Sequence, residues 1–148
     1  MPIRIAARAV LVHQERLLLV NAWPGPSSIL WCAPGGGAHM HESLPTGLAR
    51  EVYEETGLSI AVGAPCLVNE FHSAFRDFHQ VEVFFRCTLK GGTLEPGWRD
   101  PEGIVTRRRW FSRRELDGLP LKPDSLPEIA FCGGIAYDPL EEIVEAEA

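Results

Sequence analysis

Apolar runs with strand periodicity, alternating with segments of helical periodicity, predict an α/β fold. Two observations carry that expectation. Val81, Val83, Phe85 and Cys87 alternate with Glu82, Phe84, Arg86 and Thr88, the period of two that belongs to a strand. Residues 43–57 read instead as a helix with clear ends. Ser43 offers a side-chain oxygen to the free N–H groups of the first turn, Pro45 sits where a missing N–H has no partner anyway, and Gly57 suits a left-handed residue after the last turn. The 148 residues fit one domain, 1–148, and are enough to bury roughly two-thirds of the unfolded surface.

Taken in order, residues 4–13 form a strand with its most apolar stretch at 9–12, and Gln14-Glu15 turns it into a second apolar run at 17–20, so the two pair as a hairpin. Residues 21–28, with Pro24, Gly25 and Pro26, form a loop. A short strand at 29–33 leads into the turn Pro34-Gly35-Gly36-Gly37. Within the helix Gly47 is unfavourable and permits a close backbone contact if it serves any purpose. Residues 59–73 contain an extended run around 66–71, and 75–79 interleave aromatic and polar groups before the period-two strand. Lys90-Gly91-Gly92 is a turn, 93–103 a long polar loop, 104–111 a strand with a helix starting at Ser112, and 123–131 a short helix. Five arginines crowd into 107–114; they form a solvated face unless one of them holds a diphosphate. The tail from Pro139, residues 139–148, is acidic and helix-prone, suited to docking on those arginines within the chain or across a homodimer.

Composition narrows the function classes. The net charge of −6 argues against broad binding to nucleic acid or a membrane surface. No apolar run is long enough to cross a membrane, and the first ten residues lack the core of a signal peptide. Cys32, Cys66, Cys87 and Cys132 show no zinc spacing; Cys32 and Cys87 read as buried thiols, and the set fits a reducing cytoplasm.

The informative feature is one face of the helix. With Arg50 at zero and about 100° per residue, Glu54, Glu51 and Glu55 fall at about 40°, 100° and 140°, and Leu48 and Val52 follow at about 160° and 200°. An acidic stripe therefore lies beside an apolar one. Carboxylates so close repel, by roughly 4 kcal/mol at 4 Å in a half-buried site. Oxygen ligands of this kind suit Mg²⁺ or Mn²⁺, which relieves the repulsion; a solvated acidic face is the alternative.

The spacing around the stripe decides between them. Gly36, Glu42, Arg50, Glu51, Val52, Glu54, Glu55, Gly57 and Leu58 fill every fixed position of the pattern G-x5-E-x7-R-E-U-x-E-E-x-G-U, where U is apolar. A phosphate-binding P-loop at the glycines is disfavoured, because no Lys-Ser or Lys-Thr follows. The stretch resembles the signature of the Nudix, or MutT-like, hydrolases, and the likeness extends over about 4–131. That resemblance implies an α/β/α sandwich with a mixed central sheet and metal-dependent cleavage of a diphosphate bond. Glu51, Glu54, Glu55 and the carbonyl of Gly35 would hold Mg²⁺ or Mn²⁺, one carboxylate would act as base, and Arg50 with Glu42 would keep the acidic face ordered. A further acid is often drawn from a later loop, here Glu95, Asp100 or Glu102. His39 and His41 replace residues common in the family; His39 touches a substrate phosphate or lies on the surface.

Substrate is less defined. Ser73 stands where ADP-ribose members often carry proline, Phe75 and Arg76 stand where diadenosine polyphosphate members often carry tyrosine, and no coenzyme A motif is present. Nucleoside triphosphates, cleaved to monophosphate and pyrophosphate, are the default, with Trp23, Phe75 or Trp98 as stacking partner for the base. A nucleotide-binding module without turnover is the alternative function.

Overall fold

In the computed structural model, which describes residues 2–26 and 28–143, the elements follow in the order β1 (Arg4–His13), β2 (Arg16–Asn21), β3 (Trp31–Cys32), β4 (Gly35–Gly37), α1 (Leu44–Thr56), β5 (Ser59–Ser73), β6 (Phe78–Gly91), β7 (Arg108–Ser112), a short 3-10 turn (Arg114–Leu116), α2 (Leu126–Cys132) and β8 (Ala136–Glu142). The β1–β2 hairpin closes through Gln14 and Glu15, both at positive φ (50° and 62°), with His13 opposite Arg16. That is the primed two-residue turn whose twist matches paired strands.

β1 is the axis of a mixed sheet of order β3-β2-β1-β6-β5-β8. It runs parallel to β6 and antiparallel to β4, while β5 and β6 are antiparallel and β8 lies parallel to β5. Both faces of the sheet are covered, as an α/β/α sandwich requires. On one face Leu48 and Val52 of α1 pack with Ala7, Ala9, Leu11, Leu18, Leu58 and Phe85. On the other, Leu126 and Ile129 of α2 pack with Val10, Leu17, Leu19, Leu67, Phe84 and Phe111. The alternation in β6 is therefore not apolar-in and polar-out: Phe84 continues the second core, and its strand neighbours on that face, Glu82 and Gln80, are buried too.

Three expectations change. The glycine run at 35–37 is a strand, because bare glycine lets it lie tight against β1: a Cβ on Gly35 would stand 2.0 Å from the Ala7 carbonyl oxygen. The start of the tail is a strand rather than a helix, since β5 offers it an open edge. The irregularity in that pairing falls between Asn69 and Phe71, where Pro139 has no N–H to give. In the described part of the tail, Glu141 pairs with Lys122 at 3.2 Å and Glu142 accepts from the Ala74 N–H; residues 144–148, on which the expected docking to the arginines also falls, lie outside the described residues. Finally, Cys32 is half-buried rather than buried, Cys66 and Cys87 are buried, Cys132 is exposed, and all four are free thiols. No helix among the described residues is long and apolar enough to cross a membrane.

The first core depends on α1. Replacing the fully buried Leu48 by alanine is expected to lower unfolding stability by about 3 kcal/mol, measured by urea denaturation.

Candidate functional site

α1 begins where the Ser43 hydroxyl accepts from the Thr46 N–H at 3.2 Å and ends at Gly57, whose φ of 77° is left-handed. Its apolar stripe fixes its rotation on the sheet, and that rotation turns Glu51 and Glu55 inward toward β4, leaving them 7% and 8% exposed. β4 is shaped to receive them. The Gly35 N–H donates to Glu55 Oε1 at 3.2 Å, and a Cβ on Gly36 would lie 2.9 Å from the Glu51 carboxyl carbon. Gly47 serves the same end: a Cβ there would stand 2.7 Å from Glu42 Oε1.

Charge in this corner is unevenly balanced. Arg50 grips Glu42 with two nitrogens, at 2.9 and 3.3 Å, and reaches Glu51 at 3.4 Å and Glu54 at 3.5 Å. Its hydrogen bond to Glu42 holds that carboxyl below its usual range. Glu51 and Glu55 are pushed the other way. Burial raises Glu51 against the pull of Arg50, with Glu102 and Glu54 adding to the rise. Burial takes Glu55 to about 8, opposed by Arg8 and the Gly35 N–H, reinforced by Glu51 and Asp100.

The 93–103 loop is latched to the end of α1. Trp98 donates from Nε1 to the Glu54 carbonyl at 2.8 Å, packs edge-on to Tyr53 and covers Gly57, whose missing Cβ would lie 2.9 Å from the indole. Arg108 reaches the Glu55 carbonyl. Asp100 accepts from the N–H groups of Glu102, Ile104 and Val105, a tight acid-capped turn. Asn21, fully buried at the end of β2, donates to the carbonyls of Trp23 and Ile104 and accepts from the N–H groups of Thr106 and Arg107. It ties the loop to the segment after β2.

These parts border a cavity of about 680 Å³. Glu51, Glu55, Asp100 and Glu102 line one end, with Gly35 and Gly36; Asn69, Phe71, Phe78 and Lys122 line the other. Of the remaining candidates, His39 and Trp23 also line it. His39 sits 3.3 Å from Arg50. Glu54 is at the rim, on Arg50, and does not line the cavity. Phe75, 94% exposed, lies outside it, and Phe71 and Phe78 stand where it was expected. Trp98 is a structural clamp. Glu95 accepts from the Thr93 hydroxyl and borders a separate shallow groove. The arginine cluster acts as staples: Arg107 bonds the Ser28 carbonyl and covers Trp31, and Arg109 pairs with Glu115 over Phe111.

Sequence reasoning passed over Arg8, Asn21, Asn69, Gln80 and Glu82. Arg8 donates to Glu82 at 2.7 Å and to the carbonyls of Ala33 and Gly35 at 3.1 and 3.4 Å. The Gly35 carbonyl is thus already an acceptor for Arg8. The available signal was polar residues at alternate positions of strands whose other face is also apolar.

Among the described residues no three His, Cys, Asp or Glu side chains stand gathered as a finished cation cage. The donor chemistry nevertheless fits a hard divalent ion. Glu51 and Glu55 are oxygen donors whose charged forms burial opposes, and the bonds from Arg50 to Glu54 are long enough to exchange.

Comparison with known proteins gives the family. The NUDIX domain model matches residues 2–130. A MutT-like protein of Streptomyces ambofaciens is 39% identical over 124 residues, covering 78% of this chain and 76% of that one. Diphosphoinositol polyphosphate phosphohydrolase 3-alpha of Mus musculus is 32% identical over 99 residues, and there the chain spans only 56% of the relative's length. Among solved structures, a NUDIX hydrolase from Nitrosomonas europaea superposes with a TM-score of 0.73 at 22% identity, covering 93% of both chains. The chain belongs to the Nudix family of hydrolases, which act on diphosphate bonds.

Two outcomes follow from the geometry. Glu55 holds its proton more tightly when folded, so its stabilising contribution is complete below pH 4.5 and fades as pH rises toward 8. Metal-free protein is therefore expected to melt several degrees lower at pH 8.5 than at pH 5.5 by calorimetry, with Glu55→Gln flattening the slope. Trp98→Ala is expected to speed amide hydrogen exchange across 98–105 while leaving β5 and β6 protected, as measured by mass spectrometry.

Proposed function

We propose that the chain is a divalent-cation-dependent pyrophosphohydrolase acting on a diphosphate joined to a nucleoside, with nucleoside triphosphates, cleaved to monophosphate and pyrophosphate, as the default substrates. The observation that carries this reading is the pair of buried carboxylates, Glu51 and Glu55, in the wall of a nucleotide-sized cavity. With Glu54 and Gly35 they are the residues to hold Mg²⁺ or Mn²⁺. Such an ion would neutralise phosphate oxygens and make water a better nucleophile.

The chain's own residues do the rest. Arg50, anchored by Glu42, orients Glu51 and Glu54, and β4 orients Glu55. Of the loop acids, Glu102 is the one assigned to take the proton of the attacking water, since it faces the cavity near Glu51 while Asp100 is spent on three backbone N–H groups. His39 is placed to meet a phosphate at the rim. The four free thiols fit a reducing, cytoplasmic setting.

The alternative, a binding module without turnover, draws on the ungathered carboxylates. The test is phosphate release, with product identification, from a panel of nucleoside triphosphates, ADP-ribose and dinucleoside polyphosphates with and without Mg²⁺. Turnover is expected only with the ion, and Glu54→Gln is expected to lower it by at least about 100-fold. Undiminished turnover removes Glu54 from the mechanism, and an inert wild type favours the module.

A further inference from the structure

Away from the cavity, β5 and β6 turn a second set of polar side chains to the other face of the sheet. Asn69 and Phe71 of β5 and Phe78 and Gln80 of β6 line the cavity, so strand alternation points Glu70, His72 and His79 the opposite way. None of these three belongs to the core beneath α1. His72 and His79 stand directly opposite one another in the β5–β6 register, their rings 6.0 Å apart and tilted by 46°.

Each histidine faces a carboxylate that it does not bond. His79 Nε2 lies 3.7 Å from Glu70 Oε1, and His72 Nε2 lies 3.7 Å from Glu142 Oε2 on β8. Both separations are too long for a hydrogen bond. His79 Nε2 is nevertheless buried, and it meets no hydrogen-bond partner among the described residues. A buried polar atom in that state lowers stability. Glu70 is fixed from behind, because its other oxygen accepts from the Tyr137 hydroxyl. Among the described residues these histidines are the ion-pair partners of Glu70 and Glu142, and no Lys or Arg competes for either.

The spacing suits a cation between the groups. Bonds of about 2.0–2.1 Å to a tetrahedral ion put neighbouring donor atoms about 3.3 Å apart and two imidazole centres about 5 Å apart. The donors here are a little wider on both counts, as two pairs and not yet a closed cage. A small turn of the half-exposed rings closes the difference, and the last torsion of histidine is soft. Ligand chemistry separates this place from the acidic corner: two imidazoles with a carboxylate suit Zn²⁺, whereas carboxylates and a carbonyl suit Mg²⁺ or Mn²⁺.

We infer that His72, His79 and Glu70 hold a Zn²⁺-class ion on the outer face of β5 and β6, with Tyr137 orienting Glu70 and Glu142 orienting His72. Such orienting partners are part of a working metal site. Both come from β8, so the ion fastens that edge strand to the β5–β6 pair. The inference does not rest on the hydrolase reading, since none of the three ligands lines the cavity.

Titration of the full chain with Zn²⁺ and with Co²⁺ tests this, in a large excess of Mg²⁺ that fills the acidic corner first. One ion per chain is expected, with the visible absorption of four-coordinate Co²⁺, and His79→Gln should weaken its binding at least about tenfold. Zn²⁺ should raise the melting temperature of the wild type and leave that of the His72→Gln/His79→Gln double variant unmoved. Proton NMR of the wild type needs no variant: the imidazole signals of His72 and His79 should respond to Zn²⁺ first, ahead of those of His39 and His41. Binding that excess Mg²⁺ abolishes, or that persists at full strength in the double variant, puts the ion elsewhere and overturns the inference. A first response at His39 and His41, or no saturable binding, overturns it as well.

Discussion

The structure depends on the contact between the acidic face of α1 and the bare backbone of β4. Two carboxylates are taken out of water there against glycines that offer an N–H and no side chain. Burial on this scale is tolerated because cations stand on both sides: Arg8 from the sheet and Arg50 from the helix itself. The result is an acidic corner that is over-determined in position and under-compensated in charge. A group in that condition is poised to trade its proton for a metal ion, since the same desolvation that penalises the lone anion strengthens its attraction to a cation.

The second requirement is that the loop acids meet the helix acids. No regular element of the loop's own brings it back, for residues 93–103 contain none. The return is made by Trp98 on the C-terminal turn of α1, by Arg108 on the same turn, and by Asn21 from the opposite strand. All three bind main-chain groups. They therefore set where Asp100 and Glu102 lie without competing for the carboxylates.

Much of this was legible in the residues, and the limits have physical causes. The helix from Ser43 to Gly57 was readable because capping and periodicity are local. Its acidic face was readable because three glutamates and an arginine recur at helical spacing. β4 was not, since three glycines signal conformational freedom and only the neighbouring β1 converts that freedom into a strand. β8 was misread because acidic, alanine-rich sequence favours helix until an open sheet edge is available. Trp98 and Phe75 illustrate the same limit: both looked like stacking residues, and one is a clamp while the other points to solvent. Asn69 and Glu82 were invisible as cavity residues because polar positions in a strand ordinarily mean the solvated face, whereas here that face is buried and lines the cavity.

The cavity itself imposes a direction on whatever enters. Its acidic end is built from carboxylates of α1 and of the 93–103 loop, held in place by β4 and Arg50. Its far end has the rings of Phe71 and Phe78, the amide of Asn69, and Lys122 paired with Glu141. The two ends are thereby supplied by different parts of the chain, one by α1 with the 93–103 loop and the other by β5 and β6. The family signature, confined to one turn and one helix, reaches the acidic end and none of the lining on β5 and β6. Glu141 and Glu142 of β8 add to that lining from beyond residues 2–130, the stretch the family model covers. A pattern read from α1 alone therefore carries no information about those strand positions, because they meet the helix only across the cavity.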